Sequence, residues 1–362
     1  MSWKLKTLCH CVLGSVLCGL SAGAIALVPG SEVGDPLQRP ALLSSQAEKA
    51  VLLGAAVTGS GRIVAVGERG LVILSDDGGA HWRQAATPVS VSLTTVRFAG
   101  GQQGVAVGHG GVVLTSGDGG ETWQLRLDGR RVAELAREHA TAAGNPQLLE
   151  IAELMVEEGP DKPFLDVLLR DNGEMLVVGA YGLALASADS GQTWTPWMSR
   201  LDNPEGLHLY AVRQHGQAIV IAGERGLLLR SEDGGEHFAR LAVPYEGSLF
   251  TAELPAKDDI VVAGLKGSLL RSRDGGLSWQ TVDVGVPASF TASTLGADGT
   301  LYLVNQAGQV LAWGRDALEQ VSSQALPALN GILQINNQHV VLLSDRGVST
   351  LRLAGQAGGS QK

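Results

Sequence analysis

The chain has 362 residues, with 27 Lys and Arg against 36 Asp and Glu, for a formal charge of −9. That acidity argues against nucleic acid and anionic membrane surfaces as main partners. Forty-nine glycines and only 4% aromatic residues point to many tight turns between short strands, and the length suits a closed all-β architecture built from repeats.

The first element is a leader. Lys4 and Lys6 precede the apolar run LCHCVLGSVLCGL, followed by the small-x-small sites Ala22-Gly23-Ala24 and Ala24-Ile25-Ala26. This is the pattern of a secretory signal peptide over residues 1–26, cleaved after Ala26 or at the neighbouring site after Ala24; a retained anchor is the alternative. Cys9, Cys11 and Cys18 all fall inside it, and Ser15-Val16-Leu17 lacks the small residue expected beside a lipidated Cys18. The mature chain is therefore expected to be exported to the periplasm without cysteine, at a charge of −11 once the two leader lysines are gone.

From residue 27 to 353 one unit recurs. Gly67-Glu-Arg-Gly70, Gly108-His-Gly-Gly111, Gly179-Ala-Tyr-Gly182, Gly223-Glu-Arg-Gly226 and Gly264-Leu-Lys-Gly267 are clear copies; Asn305-Gln-Ala-Gly308 and Ser344-Asp-Arg-Gly347 are weaker ones. The steps are 41, 71, 44, 41, 41 and 39 residues, the long one being a normal step plus an insertion. Apolar runs flank each turn, RIVAVG and LVILS around the first, as in a hairpin buried on both faces. The turn glycines are expected to supply backbone conformations that other residues resist.

After the second run comes Ser-x-Asp-x-Gly-x-x-Trp, with Asp77 and Trp82, Asp118 and Trp123, Asp189 and Trp194, Asp233 and Phe238, and Asp274 and Trp279. The Asp is placed to accept backbone N–H groups of its own turn, and the aromatic to return between neighbouring sheets. His81 and His237 stand just before the aromatic and so recur with it. The motif resembles the Asp box, or bacterial neuraminidase repeat, found between the third and fourth strands of propeller blades. Seven repeats of about four strands predict an all-β, seven-bladed β-propeller. Copies six and seven lack the box, and the last has no room for an outer strand before Leu353. Residues 39–45, RPALLSS, are expected to supply that strand and close the ring. The tail 354–362 reads as disordered.

The insertion, residues 129–163 between blades two and three, carries apolar residues at helical spacing: Val132, Leu135, Ala136 and His139, then Leu148, Leu149, Ala152 and Met155. Asn145-Pro146 is a cap followed by Pro at the first helical position. A helical hairpin is expected, either packing on the propeller or docking a partner on the face of the Gly-x-x-Gly turns.

No catalytic, metal or cofactor constellation emerges. A sialidase needs an Arg cluster, a Tyr nucleophile and a Glu partner. The four tyrosines, Tyr181, Tyr210, Tyr245 and Tyr302, come without the Arg-Ile-Pro signature, and Glu157-Glu158 and Asp258-Asp259 read as solvated pairs. The turns themselves carry Arg69, Arg225, Lys266 and Arg346, with His109 and Tyr181 in the remaining copies. A ring would gather them at one mouth of the channel, unless Glu68, Glu224 and Asp345 neutralise them.

Over residues 37 to 353 the repeat resembles the photosystem II assembly and stability factor family of chloroplasts and cyanobacteria. That resemblance implies a non-catalytic, exported propeller, monomeric alone. It would help a membrane-protein complex assemble, through an Arg-rich patch matched here by Arg69, Arg225 and Arg346, with Lys266 a substitution. The helical hairpin departs from the family pattern. Related propellers of non-phototrophic bacteria, some encoded beside resistance-nodulation-division exporters, extend the reading to an accessory factor of such a complex. A secreted Asp-box glycosidase and a glycan-binding propeller are the competing readings.

Overall fold

A computed structural model describes residues 34–314, 318–322 and 324–353. The leader and the tail after Leu353 lie outside the described residues. Everything below concerns the unit Asp35–Lys362.

Seven antiparallel sheets form, six of four strands and a last one of three, each with its strands in chain order. The innermost strands, beginning at Leu52, Leu93, Phe164, Leu209, Leu249, Phe290 and Leu329, each touch the next, and the last touches the first. The ring is therefore a closed seven-bladed β-propeller. Each of those first residues is an apolar side chain shut off from water, so one buried plug per blade anchors the inner ring.

The expected strand at 39–45 does not form. That segment lies in irregular backbone along blade one: the N–H of Ala41 donates to Thr87 O, and Gln84 of the blade's outer strand exchanges bonds with Ser44 N–H and Leu42 O. A short turn, Ala47–Lys49, then packs against the third strand of blade seven. Gly347 begins that strand so close to Glu48 that a side chain would strike its carbonyl. Closure thus comes from packing between the innermost strands of blades seven and one and a core shared across that seam, with residues 39–49 bonded to blade one and packed on blade seven, not from an added strand.

The box corners are five copies of one hydrogen-bond circuit. The Ser hydroxyl donates to its Asp at 2.7–2.9 Å and accepts the N–H of the box Gly at 2.7–2.9 Å. The Asp accepts the N–H four residues on, and its second oxygen takes the side chain there: His81, Thr122, Thr193, His237 or Ser278. These bonds favour the ionised form. The side chain and backbone of residue 193 hold Asp189 at about 2, those of residue 278 hold Asp274 at about 2, and the backbone and side chain of His81 hold Asp77 at about 2. Asp233 lies lower still, through His237. The aromatics pack where expected, between blades: Trp123 joins Val64, Val66 and Leu74 of blade one, and Trp194 joins Val105, Val107 and Val113 of blade two. The indole N–H groups of Trp82, Trp123 and Trp194 donate to their box glycine's carbonyl.

The insertion folds as two helices, α1 (Gly129–Ala143) and α2 (Pro146–Glu158), capped by the side chains of Asp128 and Asn145. Val132, Ala133, Ala136, Ala140, Ala152 and Met155 are buried, and all but Ala140 share one core with blades two and three. The buried stripe of α1 is centred one residue away from the expected one, which leaves Leu135 and His139 half-buried.

Candidate partner-binding face

The Gly-x-x-Gly turns join the second and third strands of each blade. Strand alternation puts them at the same end as the blade-to-blade crossings, one of which carries the helical hairpin. The two glycines serve different ends. The first is extended, with φ −168° at Gly67 and −175° at Gly108. It is required by proximity, since a Cβ there would lie 2.0 Å from Val51 O and 2.2 Å from Ser92 O. The last is left-handed, at φ 76° in Gly70 and 73° in Gly226.

In the first five blades the residue before that last glycine is also left-handed, and in four of them it is not glycine: Arg69 (φ 54°), Tyr181 (φ 55°), Arg225 (φ 54°) and Lys266 (φ 57°). Blade two puts Gly110 there, at φ 68°. A long side chain in this region costs about 1–2 kcal/mol, and all four point into solvent. Arg346 is exposed in a tighter turn, where its N–H donates to the Ser344 hydroxyl and no left-handed residue is needed before Gly347. His109 sits one place earlier in its turn than the others do in theirs, and is exposed.

Two of the neighbouring acids turn away from the cations. Glu68 turns back to accept the Val51 N–H at 3.4 Å, and Glu224 accepts the His208 N–H at 3.2 Å. Among the described residues no carboxylate forms an ion pair with Arg69, Arg225, Lys266 or Arg346. Blade order places these cations as two adjacent pairs, Arg346 with Arg69 in blades seven and one, and Arg225 with Lys266 in blades four and five.

The channel is different in kind. A cavity of about 120 Å³ is lined by inner-strand residues of all seven blades. At its wall the buried carboxylate of Asp166 accepts from Arg97 at 3.0 Å and from Arg213, as well as from the N–H groups of Val167 and Val212. Arg213 also approaches Glu253 at 3.5 Å, and Glu253 accepts the Ser293 hydroxyl at 2.7 Å. Burial alone would raise the Asp166 pKa, but Arg213 and Arg97 outweigh it and hold the carboxyl below its ordinary range. Two cations and two anions cancel, so this network clamps blades two to six and leaves no free charge for a ligand.

A family model described as "Photosynthesis system II assembly factor YCF48" matches residues 150–249. A photosystem II assembly lipoprotein, Ycf48 of Synechococcus sp. (strain CC9902), is 34% identical over 92 residues, which are 24% of this chain and 28% of that protein. YCF48 from Cyanidioschyzon merolae superposes with a TM-score of 0.62 at 16% identity, over 84% of this chain and 96% of the other. A structure titled YCF48 bound to D1 peptide gives 0.61 at 15%, over 89% and 98%. A Niastella koreensis GH74 enzyme shares the fold at 0.57 and 17%, over 86% of this chain and 44% of the other. The chain is similar to these assembly factors over part of its length and shares their propeller fold.

On the turn face lies a row that the repeat pattern does not reveal. The rings of Tyr181 and His208 are 5.0 Å apart edge-on, His208 and Tyr210 6.2 Å, and Tyr210 and Phe250 5.1 Å. Tyr181 N–H donates to His208 Nδ1 at 3.1 Å, which puts the imidazole proton on Nε2; the 3.7 Å approach of Glu224 to Nδ1 is then no hydrogen bond. Lys162 Nζ stands 5.3 Å from the Tyr181 ring centre. Burial, helped by Glu224 and opposed by the Ser248 hydroxyl, holds the Tyr210 phenol above its ordinary range, a poor setting for a nucleophile. The available signal was the second residue of each inner strand: Tyr210 and Phe250 are aromatic where the other blades carry Leu53, Thr94, Leu165, Thr291 and Asn330.

Proposed function

We propose that this exported, non-catalytic propeller holds an acidic or carboxylate-ended segment of a membrane-protein subunit on its Gly-x-x-Gly turn face, as an assembly or accessory factor of that complex. The observation that carries the reading is the set of unpaired cations at strained turn positions, Arg69, Arg225 and Lys266. Structure alone would favour glycine there, as at Gly110. Guanidinium forks suit carboxylates, which they bind bidentately. The D1 peptide named for a structural neighbour of the same fold supports a peptide as ligand. The neutralised channel carboxylates, both engaged by Arg213, argue against the glycosidase reading.

The test is capture from detergent-solubilised membranes, read by mass spectrometry, together with binding of a fluorescein-labelled acidic peptide with a free C-terminus. Arg69→Glu/Arg225→Glu is expected to abolish both while changing stability by only ~0–1 kcal/mol, because the side chains are exposed. Wild-type affinity is expected to fall as salt rises. Undiminished capture by the double variant contradicts the reading. The captured subunit tells a photosystem component from a resistance-nodulation-division exporter.

A further inference from the structure

The helical hairpin does more than cover a blade edge. Between it and blade three lies a cleft of about 440 Å³, far roomier than the channel cavity. Ile151 and Met155 of α2 form one wall; Tyr181, Leu183, Met198 and Leu201 form the other. Asn203, one of its few polar groups, is already satisfied by the backbone of Leu207 in both directions. Three large apolar side chains of α2 stand in water, Ile151 at the cleft (57% exposed), Leu154 (51%) and Val156 (44%), an unusual density for one short helix.

The one carboxylate that lines this cleft, Asp202, has the opposite sign to the turn cations. Glu150, Glu153 and Glu157 are exposed on the far face of α2, and none of the four is in an ion pair. Lys162, at the cleft's Tyr181 wall, is tied to Glu158 and Asp161. No Lys or Arg lines the cleft. Tyr181 belongs at once to the cleft wall and to the turn face, and the aromatic row leads from it through blade four to blade five, where Arg225 and Lys266 stand.

We propose that this cleft is a second subsite for the same partner chain, taking an apolar stretch flanked by Lys or Arg whose acidic or carboxylate end continues onto the turn cations. The inference rests on the turn-face reading for the continuation, and adds the polarity of the ligand. Apolar residues with a basic flank are the chemistry of a chain where it leaves a membrane span.

The test uses four fluorescein-labelled peptides and the full mature chain, read by anisotropy. One is a Leu/Phe core flanked by lysines and joined through Gly-Ser to an Asp/Glu tail. The others are the tail alone, the lysine-flanked core alone, and the joined peptide with Glu in place of Lys. The joined peptide is expected to bind at least about tenfold tighter than the tail alone, a gain of roughly 1.4 kcal/mol, and the Glu-flanked version no tighter than the tail. Ile151→Lys, on an exposed residue, is expected to erase that gain and to weaken the core alone, while tail binding stays at the wild-type value. Met198→Ala should diminish the gain without a charge change.

The proposal is overturned if the lysine-flanked core adds nothing, if the Glu-flanked core adds as much, or if Ile151→Lys keeps the gain. It is also overturned if sedimentation shows a dimer that Ile151→Lys dissociates, since the cleft then faces a second copy. Failure of the tail alone to bind, with the core still bound in an Ile151-dependent manner, would sink the turn-face reading and leave the cleft.

Discussion

In the first five blades the two ends repeat in different ways. At the box corner the side chains themselves recur, and they spend their hydrogen-bonding capacity on one another: hydroxyl to carboxylate, carboxylate to two donors four residues on, indole to glycine carbonyl. At the turn it is the backbone that recurs. Its first glycine is extended against a carbonyl and its last is left-handed, while the residue between varies from Arg to Tyr to Lys to Gly and makes no ion pair. Repetition of saturated side chains marks what holds the blades together. Repetition of a backbone that presents unsaturated, strained side chains is what the proposed partner-binding reading rests on.

Breaking the box should cost the most. Trp123→Ala empties the seam between blades one and two and is expected to destabilise by about 3–5 kcal/mol, measured by chemical denaturation. A variant as stable as wild type would remove the box aromatic from the core. Ser116→Ala leaves the buried Gly120 N–H without its acceptor and removes one of the two donors to Asp118 Oδ1, at roughly 1–3 kcal/mol by the same measurement.

Acid probes all the boxes at once. Because Asp77, Asp189 and Asp274 sit at about 2 against an ordinary 3.8, the folded protein binds these protons more weakly than the unfolded chain. Their contribution is therefore complete above 3.8 and lost as pH falls from there towards about 2. The melting temperature should decline across that window, more steeply in wild type than in a variant with Asn at the three positions. The carboxylates are exposed, so solvent screens each contribution.

Much of this was legible because a repeat writes its structure several times. A period near 41 residues with Ser, Asp, Gly and Trp at fixed offsets specified the blades, the corners and the inter-blade aromatics, and Asn145-Pro146 marked the second helix. What was not legible is what the repeat does not share. The channel clamp draws Arg97, Asp166, Arg213 and Glu253 from the inner strands of four different blades, at no shared motif, so only closure of the ring brings them together. The aromatic row is hidden for the same reason. The missing outer strand of the last blade points to the segment 39–45, but its backbone finds partners on blade one at Thr87 and Gln84. The left-handed turn residues were missed because Arg, Tyr and Lys give no sign of it, though the glycine in blade two occupies the same place.

The measurement that bears most directly on the turn face is a paired one on Arg69→Gly/Arg225→Gly. Thermal stability and affinity for the fluorescein-labelled acidic peptide are read on the same protein. Relief of two left-handed side chains, less the entropy glycine adds to the unfolded chain, is expected to stabilise by roughly 0.5–1 kcal/mol per site. Peptide binding is expected to be lost. A variant that gains stability and loses binding shows that strain is retained there for recognition. One that is less stable than wild type and binds the peptide equally well would show that these arginines serve the fold.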